Sequence, residues 1–337
     1  MAMDTRFSVH YGDGAYEITR EKGDGAPKLY YDPSPDGGER RFLGDMREER
    51  LLLPSPMPGE RLYFFLEYEG APVLTAASRG VETGGVENFR DMGGYRTAEG
   101  KTVRWGKFFR GGPLHGLNGR QMAALSRLGI KRVVDYRTKT EAEHAPDECP
   151  EGAERVHLPA IPQVERFQNF ADRDILAHLR AVNSPEAAAE QFQLFKDLYA
   201  AFPFGVDAFR QMLLSLNSEA AIPLYQHCSA GKDRTGIGSV LLLLALGVDE
   251  ATAVSDYLLS REFRAEANRR KVQEMTAAGI SLAAAELVRR MMTVSEELIF
   301  CALRAIHEKY STYETFFEKE YGMDGETLSR WRRMYTV

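Results

Sequence analysis

The fold is decided by one stretch, Leu224-Tyr225-Gln226-His227-Cys228-Ser229-Ala230-Gly231-Lys232-Asp233-Arg234-Thr235-Gly236, which runs on into Val240-Leu241-Leu242-Leu243-Leu244-Ala245-Leu246. Pro223 to His227 reads as a short apolar strand, and the segment after Thr235 reads as a long apolar helix. Between them lies a tight loop headed by a cysteine, with five residues separating Cys228 from Arg234. A strand that turns sharply into a helix converges its backbone N–H groups on the turn, and the helix N-terminus adds partial positive charge. The stretch therefore predicts an anion cradle between a sheet strand and a helix.

A free cysteine with a pKa of ~8.5 is mostly protonated at neutral pH, whereas attack on phosphorus needs the thiolate. The cradle formed by Ser229, Ala230, Gly231, Lys232, Asp233 and Arg234 stabilises negative charge on Cys228 and on an incoming phosphate alike. Gly231 permits the tight wrap. The planar fork of Arg234 can grip two phosphate oxygens and is best matched to the equatorial oxygens of the transition state. Thr235 can donate a hydrogen bond to the thiolate when sulfur becomes the leaving group. His227 can order the loop or favour thiolate formation. Most lone cysteines are plain buried thiols, but that reading leaves the strand, the helix and the offset of Arg234 unexplained. A Walker-type nucleotide loop needs a glycine five positions before Gly231, where Gln226 stands.

Beyond this stretch, residues from about Val86 alternate apolar strands with helices. Strand candidates are Lys107–Arg110, Lys131–Tyr136, Arg155–Leu158 and Pro223–His227, with a helix opening at Asn118 between the first two. This pattern suits an α/β fold with a largely parallel sheet flanked by helices. Residues 164–217 interrupt it with helical stretches carrying apolar stripes at Phe167, Phe170, Ile175, Leu179, Phe192, Phe195 and Leu198. Such an insertion is either bundle packing or a helical lid. Further helices are expected at 249–260, 263–277, 281–291, 294–309 and 311–319.

The first eighty residues read differently. Short β-rich runs, Arg6–His10, Ala15–Thr19, Lys28–Tyr31, Glu49–Leu53, Leu62–Tyr68 and Pro72–Thr75, are punctuated by Asp13-Gly14, Pro35-Asp36-Gly37-Gly38 and Glu69-Gly70. Strands at this spacing predict a small N-terminal β-sandwich at 1–80, loosely similar to a fibronectin type III or immunoglobulin-like module.

The 337 residues are 44% apolar and 27% charged, ordinary for a globular protein. The net charge of −6 argues against nucleic acid as a partner but permits a locally positive pocket for an anionic substrate. No run approaches the ~20 apolar residues of a membrane span, so no integral membrane segment is expected. Met1 to Arg6 lacks the apolar core of a signal peptide. Cys149, Cys228 and Cys301 are widely spaced, which excludes a disulfide framework and suits a reducing cytoplasm. His115, His144, His157, His178 and His307 show no metal-ligand spacing, and the chemistry at Cys228 requires neither metal nor cofactor.

The segment His227 to Gly236 resembles the signature loop of protein tyrosine phosphatases. More narrowly, residues 86–330 resemble the atypical bacterial and fungal tyrosine/serine phosphatases. The supporting motifs are Glu87-Asn88-Phe89-Arg90-Asp91-Met92-Gly93-Gly94-Tyr95, Phe109-Arg110-Gly111-Gly112, Val133-Val134-Asp135-Tyr136-Arg137-Thr138-Lys139-Thr140-Glu141 and Asp256-Tyr257-Leu258-Leu259-Ser260. The resemblance implies a protein tyrosine phosphatase-like cysteine phosphatase domain at 86–337, acting on phosphorylated proteins or on phosphoinositides. It also implies an aspartate that protonates the leaving oxygen. Asp233, inside the loop, is preferred for this role; Asp135, which can instead pair with Arg137, is the alternative. Lys232 adds a second cation, similar to the lysine of phosphoinositide phosphatases, and is expected to favour substrates with more than one phosphate. Asn88 to Asp91 is expected to be structural. A non-catalytic phosphate-binding module and a rhodanese-type sulfurtransferase are the rivals. The first leaves nucleophile, arginine, threonine and acid without a purpose. The second does not share the arrangement of Cys228, Arg234 and Thr235 running straight into a helix.

Overall fold

A computed structural model of the chain describes residues 6–23, 25–162, 164, 179 and 181–337. Phe167, Phe170 and Ile175, on which part of the expected lid rests, lie outside the described residues. Two antiparallel sheets are built from the N-terminal part. One has the order β1 (Phe7–Gly12), β2 (Ala15–Arg20), β5 (Arg50–Pro54). The other has the order β4 (Arg41–Asp45), β3 (Lys28–Asp32), β6 (Tyr63–Glu67), β7 (Leu74–Ala77). Phe7, Val9, Tyr16 and Ile18 from the first sheet share a core cluster with Leu29, Phe64, Leu66 and Ala76 from the second. Strand β4 has no counterpart in the sequence reading, because its Arg-Phe-Leu-Gly-Asp shows little apolar alternation.

The third sheet has the order β11 (Glu154–His157), β10 (Arg132–Asp135), β12 (Leu224–His227), β9 (Phe108–Gly111), β8 (Arg90–Asp91). The first four run parallel, and only the short edge strand β8 is antiparallel. The strand register aligns their ends. Asp135 lies opposite both His157 and His227, and His227 lies opposite Gly111. The loops leaving β9, β10 and β12 therefore emerge side by side at one edge, the position where open α/β sheets place ligands.

Helix Arg234–Ala245 follows directly, and every residue from Thr235 to Ala245 is buried. Its apolar character on all sides is explained by this burial. A Cβ on Gly238 would lie 2.7 Å from Gln226 Oε1 and 2.8 Å from Tyr136 Oη, so glycine there lets the helix sit close to the sheet. Helices Pro185–Ala201 and Asp207–Leu214, the described part of the insertion, contribute Phe192, Phe195, Leu198, Tyr199, Phe209 and Met212 to the same core. They are built into the fold, and Tyr199 reaches the loop from there. Among the described residues no helix is long and apolar enough to cross a membrane.

The two parts of the chain share a packed seam. Tyr63, Phe65 and Ala77 cluster with Trp105. Arg79 lies between the rings of Tyr95 and Trp105, at 3.9 and 4.9 Å, and donates to the carbonyls of Asp91 and Gly93 at 2.8 and 2.6 Å. Arg61 meets the fully buried Asp91 carboxylate at 2.9 Å. A cut at residue 80 would remove both guanidinium groups from Asp91 and its strand. Cation–π contacts and charged hydrogen bonds of this kind are worth ~1–3 kcal/mol each when desolvated. Arg79→Met should therefore destabilise the protein by about 2–4 kcal/mol in urea unfolding with an unchanged slope. The exposed Lys22→Ala should stay within ~0.5 kcal/mol, and equal losses for the two would contradict the seam.

Candidate active site

Cys228 follows β12 and is 2% exposed. The loop is turned so that its carbonyls face away from the sulfur. Asn88 Nδ2 donates to Gly231 O at 2.7 Å and to Ala230 O at 3.2 Å. Arg110 Nη2 reaches Gly231 O at 3.0 Å, and Arg264 Nη1 reaches Ala230 O at 3.1 Å. Backbone N–H groups of Ala230 and Thr235 are directed at the sulfur instead. Gly231 has φ +63°, and a Cβ there would lie 2.1 Å from Gly111 O. No other residue fits that position. Asn88, with φ +60°, is also left-handed, a conformation asparagine tolerates better than most side chains.

A buried charge cluster backs this clamp. Arg90 Nε and Arg110 Nη1 both bind Asp256, at 3.2 and 2.6 Å, and Tyr95 Oη donates to it at 2.9 Å. Arg90, Arg110 and Asp256 are fully buried. Burial alone would raise the Asp256 carboxyl, but the two guanidinium groups hold it well below the usual carboxylate range. Burial and the neighbouring Arg110 bring Arg90 down to about 10. Two cations on one carboxylate leave a net positive charge directly behind the Cys228 loop. That excess favours anions in front of it.

The thiol of Cys228 reflects the same field. Burial pushes it up, yet the Arg234 charge, the Thr235 hydroxyl and the two backbone N–H groups together bring it below its ordinary value. Thr235 Oγ1 is buried, and among the described residues no group takes its hydrogen bond, which leaves it available to the sulfur. His227 is fully buried with Nε2 3.2 Å from Asp147 Oδ2, and its ring stacks on Tyr225. It braces the strand end rather than facing solvent.

Asp135 sits in a closed ion-pair cluster. It accepts from Arg137 Nε, Nη2 and backbone N–H at 2.8, 2.9 and 3.0 Å, and from Arg155 Nη2 at 2.6 Å. Burial opposes ionisation, but Arg137 and the nearby His227 hold its carboxyl below the ordinary value. A carboxylate so fully engaged ties the strand ends together. Asp147 joins the cluster through Arg137 at 2.6 Å and Arg155 at 3.1 Å. Ligand atoms of Asp135, Asp147 and His227 lie within 4.8 Å of one another. The two guanidinium groups already neutralise both carboxylates, so the donors do not fit a metal ion.

Glu141 is the residue that sequence reasoning passed over as a mere motif position. Its carboxylate takes Arg234 Nη1 and Nη2 at 2.6 and 2.8 Å and Ser229 Oγ at 2.5 Å. The same side chain closes a capping box with Thr138 at the start of helix Lys139–His144. The Thr138-x-x-Glu141 spacing is a readable capping signal, though its link to Arg234 is not. Asp233 receives Tyr199 Oη on Oδ1 at 2.5 Å and Lys232 Nζ on both oxygens, at 2.9 and 2.7 Å. Lys232 also donates to Met291 O at 2.6 Å, so its three N–H groups are all in use. Of the expected site residues, Cys228, Ser229, Ala230, Gly231, Lys232, Asp233, Arg234 and Thr235 form one loop, while His227 and Asp135 stand behind it.

Comparison with known proteins agrees with this geometry. The family model described as the tyrosine phosphatase family matches residues 81–337. A protein of Cupriavidus necator named as a tyrosine-protein phosphatase is 30% identical over 240 residues, covering 71% of this chain and 83% of that protein. The triple specificity protein phosphatase PtpB of Mycobacterium tuberculosis is 30% identical over 278 residues, covering 74% of this chain and 97% of that protein. The crystal structure of Pseudomonas aeruginosa TpbA, 18% identical, covers 57% of this chain and 89% of its own, but its TM-score of 0.25 carries no argument about the fold.

The Glu141–Arg234 pair gives a pH test. Burial raises the Glu141 carboxyl, but Arg234 and Ser229 outweigh it and bring it down to about 2. A depressed carboxylate stabilises the folded state fully above the unfolded value of ~4.3 and loses that contribution as pH falls towards the folded one. Urea midpoints of the wild type and Glu141→Gln should differ most near neutral pH, with the gap closing steadily below about pH 4.5. A gap that is constant or widens on acidification would mean the pair is not formed.

Proposed function

This chain belongs to the tyrosine phosphatase family, and we propose that it hydrolyses phosphomonoesters through a cysteinyl-phosphate formed on Cys228. The observation that carries this reading is the loop itself. A buried cysteine with a depressed thiol, an arginine fork and outward-turned carbonyls occupy a single strand-to-helix turn. In the first step Cys228 Sγ bonds to phosphorus while the bond to the leaving oxygen breaks, and Asp233 supplies that oxygen with its proton. In the second step a water oxygen bonds to phosphorus, its proton passes to Asp233, and the Sγ–phosphorus electron pair returns to sulfur beside the Thr235 hydroxyl. Each proton and electron pair is then restored to its starting place.

Arg234 is held by Glu141 through Nη1 and Nη2, with a further contact from Nη2 to Ser229 Oγ at 3.2 Å. Among the described residues nothing takes its Nε–H. That proton and the Nη2 proton now on Ser229 are the pair available for two phosphate oxygens. Asp135 and His227 position the strand ends in this scheme.

The substrates we favour are phosphotyrosine, phosphoserine and phosphothreonine in proteins; the relatives are named as a tyrosine-protein phosphatase and a triple specificity protein phosphatase. Phosphoinositides are the second class, on the likeness of the Ala230-Gly231-Lys232 run; against them, the donors of Lys232 are taken by Asp233 and Met291. We read the two N-terminal sheets, with their shared core, as an immunoglobulin-like sandwich at 1–80 preceding the phosphatase domain at 86–337. Three unpaired cysteines are in keeping with a reducing compartment.

Cys228→Ser should abolish turnover of p-nitrophenyl phosphate while tungstate binding, measured by calorimetry, persists. Retention of more than about a hundredth of the activity would exclude the covalent route. A panel of phosphopeptides and inositol phosphates should show hydrolysis of the peptides. Turnover of inositol phosphates alone would overturn the assigned substrate class.

A further inference from the structure

Asp233 lies on the loop, but the group that holds its carboxyl comes from elsewhere in the fold. Tyr199 belongs to helix Pro185–Ala201, inside the helical insertion, and is fully buried. Its hydroxyl donates to Asp233 Oδ1 at 2.5 Å and lies 2.9 Å from Tyr257 Oη. Tyr199 has one proton and places it on Asp233, so Tyr257 must be the donor in the second contact. Tyr257, equally buried, lies on helix Glu250–Leu258. The result is a one-directional chain of donors from Tyr257 through Tyr199 to Asp233.

We infer that Tyr199, backed by Tyr257, is a positioning residue that fixes the carboxyl of Asp233 for proton delivery to the leaving oxygen. This rests on the reading of Asp233 as the proton donor. A carboxyl has two equivalent oxygens and rotates, so half of its orientations present the wrong one unless something distinguishes them. Tyr199 does so, because an oxygen already accepting its proton is a poor place for the transferable one. Lys232 donates to both oxygens, at 2.9 and 2.7 Å, and does not distinguish them; the proton then rides on Oδ2, the oxygen that Tyr199 does not touch. Both tyrosines keep their protons. Burial first and then the negative charge of Asp233 push their hydroxyls well above the ordinary phenol range. Neither can therefore act as a base in its own right. The charged and titratable groups around Asp233 are Lys232, Arg234, Tyr199 and Tyr257. The tyrosine chain ties the loop to the insertion, as does Lys232 Nζ over the Phe195 ring at 5.7 Å.

The test compares two substrates of one enzyme preparation: an activated aryl phosphate, whose leaving group departs without a proton, and phosphotyrosyl peptide, whose leaving group needs one. Tyr199→Phe removes a single oxygen from a packed ring. It should lower kcat for the peptide about ten-fold or more, change kcat for the activated ester by less than about three-fold, and leave KM for both within about two-fold. Tyr257→Phe should show the same asymmetry more weakly. In an Asp233→Asn background, Tyr199→Phe should cause no further loss on the peptide. An equal loss on both substrates, or none on either, would overturn the positioning role of Tyr199. If Asp233→Asn itself lacks the leaving-group asymmetry, it is the assignment of Asp233 that fails. A peptide-selective loss in Tyr199→Phe that persists in the Asp233→Asn background would place Tyr199 on a different proton donor, and would also overturn the proposal.

Discussion

Negative charge on sulfur, 2% exposed at the end of a sheet strand, has to be compensated locally, because water cannot do it. Most of the site can be understood as that compensation. Backbone N–H groups supply part of it, and they can face the sulfur only if the loop carbonyls face elsewhere. Asn88, Arg110 and Arg264 take those carbonyls, and Gly231 supplies the left-handed turn that separates the two sets. Arg110 stays in place because Asp256 binds it together with Arg90. The surplus positive charge of that trio lies behind the loop. Motifs far apart in the chain thus serve one electrostatic requirement.

Two carboxylates near the loop have opposite fates, and their surroundings decide which. Asp135 is gripped by Arg137 and Arg155 and stays ionised as a structural anchor. Asp233 lies partly open on the loop, with a tyrosine on one oxygen and a lysine on both. Glu141 has a third task, which is to hold Arg234. Proximity in sequence to the nucleophile therefore says less about a carboxylate's role than the donors that surround it.

The strand, loop and helix around Cys228 were legible because they are local: an apolar run, a turn and another apolar run carry their own periodicity. The parallel strands Arg132–Asp135, Glu154–His157 and Phe108–Gly111 were legible for the same reason, within a residue or two. Helix Gly325–Tyr335 was not foreseen, since its mostly polar sequence buries only Leu328, Trp331 and Tyr335. The clamp was not legible at all. Asn88 meets Gly231 across 143 positions and Arg90 meets Asp256 across 166, and no local pattern encodes such pairs. Asn88 to Asp91 therefore looked purely structural, although Asn88 holds the carbonyls of the Cys228 loop. Tyr199 was hidden in the same way, as one aromatic among several on a helix of the insertion.

Everything in the proposed chemistry turns on whether the phosphoryl group passes through the sulfur of Cys228. Rapid acid quenching of the enzyme during turnover, followed by digestion and mass spectrometry of the peptide that contains Cys228, reads this out directly. Transfer through sulfur predicts the added mass of one phosphoryl group on that peptide, formed within the first turnover and absent from Cys228→Ser. An unmodified Cys228 peptide during full turnover, or a phosphoryl group on another residue, would contradict it.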